Sequence, residues 1–427
     1  MRYRERTRRM PIVLAIGLFS AILLLAIYEK TKFKTFYIKQ DKIDNARDTV
    51  IVSGLNGYTG RFPDVISTKN GLIAVYYWND IHAPYVLGDH LGTIKIQKGT
   101  SDGENWESSV DLIDSDFLVK NGLGLWKSGD TFYYSKSDAE ANNAEFCIEA
   151  RDPNLARMGN LLIMTFFTRL PWNAGQNGYS YLQYDENYDY TYGRTFIMVS
   201  DDEGNTWSPP VEIKSEYLDR GSAKRGNIAV LDEHTILIPL YGYNSTLGNT
   251  FTTTNILAVF ENGEWNFQQE YCIHVEKGDS VAGAFEKGVT EVSFTTLDQK
   301  IYALLRSSGN IMVSEDRGAT WQNVKCTGQD ESYVLHQPSL QTIEASKQIL
   351  ASWAEPNENG GRDIFLMLYS PRKDKVWRYA NKFCIYHNDE GGDMADPTSI
   401  LLSDNTVLTI YYDVQKQIVA CTKTNLY

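Results

Sequence analysis

The chain has 427 residues, of which 42% are hydrophobic and 12% aromatic, and it carries a formal net charge of −13. That length can bury a large core in one domain or two. No basic patch follows the first nine residues, so nucleic acid is excluded as an expected partner. The five cysteines (Cys147, Cys272, Cys326, Cys384 and Cys421) are far apart and form no C-x-x-C. They give no zinc motif and no obvious disulfide framework, although one pair could be bridged. No metal or cofactor is implied.

Residues 1–9 hold Arg2, Arg4, Arg6, Arg8 and Arg9 and read as a basic cytoplasmic tail. Residues 10–27 are an uncharged run of eighteen, just enough for a helix to cross a bilayer core. The arginines keep this end in the cytoplasm and place the rest of the chain outside. A cleaved signal peptide, giving a secreted product, is the rival reading. Ile27-Tyr28-Glu29-Lys30 is a poor cleavage site, so an uncleaved transmembrane signal anchor is expected. Residues 28–46 read as a short polar stalk, and residues 47–427 as the main domain.

Within that domain six segments share one pattern of strand, tight turn, strand. They open at Arg61, Arg151, Arg225, Glu291, Leu335 and Ala395. Each holds alternating or fully apolar runs around a Gly, Asn, Asp or Lys turn, which is the signal of a β-hairpin. No amphipathic helix of three turns is visible after residue 30. Trp207, Trp265, Trp321 and Trp377 lie 58, 56 and 56 residues apart. A period of that size, built from about four strands, marks a β-propeller, and six units imply six blades. Thr49–Val52 is expected to pair with Ile418–Thr422 and close the ring, which removes the free sheet edges. The first strands would then line a central hollow. Polar residues at their entrances would converge there from six distant places in the chain.

A second repeat is a turn, S-x-D-x-G-x-T-W. It occurs at Ser200–Trp207 and Ser314–Trp321, with a worn copy from Gly99 to Trp106. The Asp can accept hydrogen bonds from backbone N–H groups two residues on. The Gly supplies a positive φ, and the Trp opens the next strand with a large ring to bury.

These turns resemble the Asp boxes of the sialidase (neuraminidase) superfamily, and Arg61-Phe62-Pro63 resembles its F/Y-R-I-P motif. The resemblance spans roughly residues 55–425. It implies an all-β, six-bladed propeller and a sialidase-like exo-glycoside hydrolase that removes a terminal acidic sugar, such as sialic acid, from a glycan. It implies that Arg61, Arg306 and Arg362 grip a substrate carboxylate, as guanidinium forks do bidentately while staying charged. Asp89 matches the family's acid/base, with Asp80 as the other candidate in that loop and His82 and His90 nearby. Glu291 matches the glutamate that accepts the proton of a tyrosine nucleophile. Tyr241 and Tyr243 are expected on the aglycone side, and Asp152 on glycerol-like hydroxyls.

The chain departs from the family pattern at the sixth hairpin. A nucleophilic tyrosine is implied there, but the sequence is Gly392-Asp393-Met394-Ala395-Asp396-Pro397. Asp396 could act as a carboxylate nucleophile or base on a different sugar. Tyr411 or Tyr412 could substitute. Or the propeller only binds a glycan or a protein partner.

Overall fold

A computed structural model of the protein describes residues 35–39, 49–54, 59–79, 91–170, 184–185, 190–191, 193–244, 251–273, 291–306, 309–327, 335–373, 376–392, 394–403 and 405–427. The basic tail and the apolar run at 10–27 lie outside these residues, as do Asp80, His82, Asp89 and His90. Among the described residues no helix is long and apolar enough to cross a membrane.

The fold is all-β and propeller-like. Its main sheets are antiparallel and follow one another along the chain. The first contains Thr59–Thr68, Gly71–Asn79, Thr93–Gly99 and Val110–Ile113. The second contains Glu149–Met158, Leu161–Arg169, Arg194–Ser200 and Val211–Ile213. In the third, Ser222–Ala223 and Ala229–Val230 both pair with Thr235–Tyr243, and Phe251–Glu261 and Glu264–Cys272 follow. The fourth contains Val292–Leu297, Lys300–Leu305, Ile311–Ser314 and Gln322–Asn323. The fifth contains His336–Ile343, Gln348–Pro356, Arg362–Tyr369 and Phe383–Tyr386. The sixth contains Met394–Leu401, Thr406–Asp413 and Ile418–Asn425, completed by Thr49–Gly54. That last pairing, Thr49 opposite Thr422 and Gly54 opposite Ile418, is the expected closure. The first strands touch one another in a closed cycle, sheet one to sheet six and back to sheet one.

Why the hairpins read as continuous apolar runs follows from packing, because each sheet is covered on both faces. In Gly71–Asn79, Ile73 and Val75 pack with Leu162, Met164 and Phe166 of the second sheet. Leu72, Ala74 and Tyr76 of the same strand pack with Leu408 and Ile410 of the sixth. The same layering recurs between every neighbouring pair of sheets. Nearer the axis, side chains tie adjacent first strands together. Leu155 N–H donates to Asp64 Oδ2 at 2.7 Å, Lys224 Nζ to Asn154 Oδ1 at 3.0 Å, and Leu340 N–H to Ser293 Oγ at 3.0 Å.

Both full turn motifs have one geometry. Thr206 N–H and Thr320 N–H donate to Asp202 and Asp316 Oδ1 at 2.9 and 2.8 Å, so the carboxylate reaches four residues on rather than the expected two. In the worn copy Asp102 does accept from Glu104 N–H, two residues on, at 3.1 Å. The Thr206 N–H and hydroxyl hold the Asp202 carboxyl down to about 2. The turn glycine presses on the preceding sheet. A Cβ at Gly318 (φ 91°) would sit 2.6 Å from Leu237 and 2.7 Å from Asn255 Oδ1. At Gly263 (φ 84°) it would meet nothing within 4 Å. Gly318→Ala is therefore expected to cost about 1–3 kcal/mol more than Gly263→Ala, read from urea midpoints. Equal costs would show that the glycine serves only its backbone angle.

Two features differ from expectation. The stalk assigned to residues 28–46 is not free throughout, because Thr35–Lys39 is docked on the domain. Phe36 is buried, its N–H donates to Gln348 Oε1 at 2.8 Å, and its carbonyl accepts from Gln348 Nε2 at 3.0 Å. Tyr37 and Tyr427 exchange backbone hydrogen bonds at 3.1 and 3.0 Å. The alternation of apolar Phe36 and Ile38 with Thr35, Tyr37 and Lys39 was the available signal. The second feature lies between the first two sheets. An insertion there holds two one-to-two-turn helices, Ser115–Lys120 and Lys136–Ala141, and a small sheet of Trp126–Ser128, Thr131–Tyr133 and Glu145–Phe146.

Candidate active site

Each of the six first segments has one residue in the left-handed backbone region at the same end of the ring. These are Phe62 (φ 54°), Asp152 (48°), Gly226 (93°), Glu291 (53°), Gln337 (41°) and Asp396 (57°). Only one of them is glycine, yet left-handed backbone is costly for other residues, a bulky Phe above all. The next residue is Pro63, Pro153, Asn227, Val292, Pro338 or Pro397. Four of these are prolines, which cannot donate to a sheet ladder. The ladders shift register here, between Arg61 and Asp64, between His336 and Ser339, and between Ala395 and Thr398. Bulges of this kind re-aim side chains. Repeated strain in one place is a mark of function.

The re-aimed side chains meet at the axis. The Phe62 ring lies beneath two guanidiniums, with Arg151 Cζ 4.6 Å and Arg225 Cζ 5.4 Å from its centroid. Arg61 Cζ stands 5.3 Å over Tyr412. Arg225 crosses from the third sheet to the sixth, where its Nη2 lies 3.4 Å from Asp396 Oδ1. Asp396 is 0% exposed, so this pair forms a floor across the ring. Gly226 permits the crossing, because a Cβ there would sit 2.5 Å from the Val292 carbonyl. Arg306, at the end of the fourth sheet's second strand, pairs with Glu291 Oε1 and donates from Nη2 to His336 Nδ1 at 3.1 Å. An arginine can only donate, so His336 Nδ1 is the unprotonated nitrogen. Beside this cluster, Glu149 accepts from Arg169 Nε at 2.5 Å and from Tyr77 Oη and Gly92 N–H at 2.8 Å. Burial pulls Lys224, which donates to the Gly226 carbonyl at 2.6 Å, down to about 7.

Among the buried polar atoms of this cluster, Asp152 Oδ1, Arg225 Nη1, Glu291 Oε2 and Gln337 Oε1 make no hydrogen bond among the described residues. An unmade buried hydrogen bond costs about 1–3 kcal/mol, and such atoms call for a missing partner. Open acceptors beside guanidiniums suit a ligand that carries both hydroxyls and an anionic group.

Of the residues marked in the sequence, Arg61, Asp152, Glu291, Arg306 and Asp396 come together here. Tyr241 lies opposite Ala223 at the same end of the third sheet. Burial, then the nearby Glu291 and Asp152, raise its phenol well above the usual range. Tyr243 is half-buried two residues on. Arg362 opens the third strand of the fifth sheet, opposite Pro356, at the same end but two strands out from the axis. Tyr411 hydrogen-bonds Thr49 and Thr422 within the sixth sheet, whereas Tyr412 sits under Arg61. Arg151, Arg225, Lys224, His336, Gln337 and Phe62 were not singled out. For Arg151 and Arg225 a signal was present, since three successive hairpin segments open on Arg61, Arg151 and Arg225.

No protein family profile matches the chain, and no curated protein matches it. Solved structures do. A protein of unknown function from Dyadobacter fermentans superposes with a TM-score of 0.60 at 15% identity, over 89% of this chain and 98% of that one. The Hadza microbial sialidase Hz136 gives 0.58 at 14%, over 86% of this chain and 66% of that one. The intramolecular trans-sialidase from Ruminococcus gnavus, solved with oseltamivir carboxylate, gives 0.54 at 13%, over 89% and 97%. The chain therefore has a sialidase-like fold.

Proposed function

We propose that this protein is a six-bladed propeller glycoside hydrolase that releases a terminal acidic sugar, such as a sialic acid, from a glycan. The observation that carries this is the set of buried atoms without a hydrogen bond among converging guanidiniums. A carboxylate-bearing sugar would answer the cationic groups with its acid and the free acceptors with its hydroxyls. Arg61 and Arg306 are assigned to the carboxylate, with Arg362 reaching in from the rim. Glu291, whose Oε2 is uncommitted, is assigned to proton transfer. Tyr241 and Tyr243 flank the aglycone. Asp396 is assigned as the counter-ion of Arg225 rather than as a reacting group. The apolar run at residues 10–27 is taken as a signal anchor that holds the propeller outside the cytoplasm, with secretion after cleavage as the alternative.

A second reading, a propeller that binds glycans without cleaving them, is favoured by one observation. The sixth sheet opens on Ala395 and Asp396, with no tyrosine in that place. Methylumbelliferyl glycosides of sialic, glucuronic and neutral sugars separate the two readings. Turnover of an acidic member, lost in Arg61→Met, is the expected result. Binding of acidic sugars without turnover of any member would leave the second.

A further inference from the structure

Five carboxylates crowd this end of the ring, and their partners sort them. Asp64 accepts from Val65 N–H and Leu155 N–H at 2.7 Å and from Asn154 Nδ2 at 3.3 Å. Glu149 is held by Arg169, Tyr77 and Gly92. Asp396 is enclosed against Arg225. These three are committed to holding the fold. Asp152 and Glu291 differ from Asp396 in exposure, at 5% and 8% against 0%, and each keeps one buried oxygen without a hydrogen bond among the described residues. Each also stands on a left-handed residue at this end of the ring, on the second and fourth sheets.

The two have different surroundings. Glu291 Oε1 is ion-paired with Arg306. Asp152 accepts no hydrogen bond among the described residues, and its ion pair with Arg151 Nε is long, at 3.8 Å. Two carboxylates in one pocket with unlike partners are how an acid and a base are kept apart in glycoside cleavage.

We propose that Asp152, rather than a residue of the loop after the first hairpin, donates the proton to the leaving group, with Glu291 as the partner base. The assignment rests on the glycosidase reading above. In the step, the Asp152 carboxylic acid gives its proton to the glycosidic oxygen as the bond from that oxygen to the anomeric carbon breaks. The aglycone leaves as a neutral alcohol. Glu291 Oε2 takes a proton from a water whose oxygen bonds to the same carbon. Solvent then reprotonates Asp152 and receives the proton from Glu291, so the net change is the addition of one water.

The surroundings of Asp152 agree with this role. Burial pushes its carboxyl up, and Glu291 adds to the rise, while Arg151, Arg225 and Arg169 oppose it. Lys224 and Tyr241 also lie within electrostatic reach of it. A raised acid stays protonated to higher pH than an ordinary aspartate. Activity that needs its proton is lost as pH rises through its pKa, which gives an alkaline limb.

The test is Asp152→Asn in the full chain, compared with the unmodified protein on one sugar bearing two leaving groups. Asn accepts positive φ readily, so the backbone is not further strained. With a natural or alkyl aglycone, kcat/KM is expected to fall about 10²–10⁴-fold. With a dinitrophenyl aglycone, which leaves without a proton, it is expected to fall less than tenfold. Independently of the variant, the unmodified protein is expected to show the alkaline limb for the alkyl aglycone and not for the dinitrophenyl one. Equal losses on both aglycones, or the leaving-group pattern appearing in Asp89→Asn instead, would overturn the assignment alone. No turnover of any glycoside by the unmodified protein would overturn the glycosidase reading and this assignment with it.

Discussion

Arg225→Met is expected to destabilise the protein by about 3–5 kcal/mol, the cost of breaking a buried ion pair from one side. Arg225 is 4% exposed and Asp396 0%, so neither can turn to water when the other is removed. The two substitutions should be unequal. Arg225 also interacts with Asp152, Glu291 and Asp64, which would go on compensating it in Asp396→Asn. Asp396 would lose this ion pair in Arg225→Met while keeping its attraction to Arg306. The double variant Arg225→Met/Asp396→Asn should recover at least half of the loss, as replaced buried pairs do. Chemical denaturation of the three variants checks this. A single Arg225→Met within about 1 kcal/mol of the parent, the size of a surface pair, would mean that the floor across the ring is not a structural tie.

Glu291→Gln is expected to lower kcat/KM about 10²–10⁴-fold, the usual contribution of one positioned acid or base. The substitution keeps the shape and leaves Arg306 its contact with His336. It removes the charge that Arg306 pairs with and the oxygen that can take a proton. Substrate binding should change less than turnover, because the guanidiniums remain. Steady-state kinetics on the best acidic substrate of the panel decide it. A rise in KM with kcat unchanged would make Glu291 a binding group and nothing more.

The hairpins were legible because both faces of every sheet are covered, which forces apolar runs that a sequence shows directly. The turn motifs were legible for a similar reason, since Asp202 and Thr206 do all their work within five residues. The site was legible only in part. Arg61, Glu291 and Arg306 are flagged by local motifs. The crossing of Arg225 to Asp396 joins positions far apart in the chain, and nothing local announces it. The left-handed bulge was hidden as well, because Phe62, Asp152, Glu291, Gln337 and Asp396 share a backbone angle and no side-chain type. The break of the third sheet's first strand around Lys224 was also missed, since Arg225–Val230 reads as an ordinary strand.

The docked N-terminal strand sets a direction. Gln348, which clasps Phe36, pairs with Ile343, at the opposite end of the fifth sheet from His336 and Gln337. Lys373, which donates to Thr35 Oγ1 at 2.5 Å, also follows the far end of that sheet. Thr35–Lys39 thus docks on the back of the domain, at the far end of the fifth sheet from the candidate site. Were the proposed anchor at residues 10–27 to hold the protein through this strand, the candidate site would face away from the anchoring layer, towards sugars on an opposing surface or in the medium.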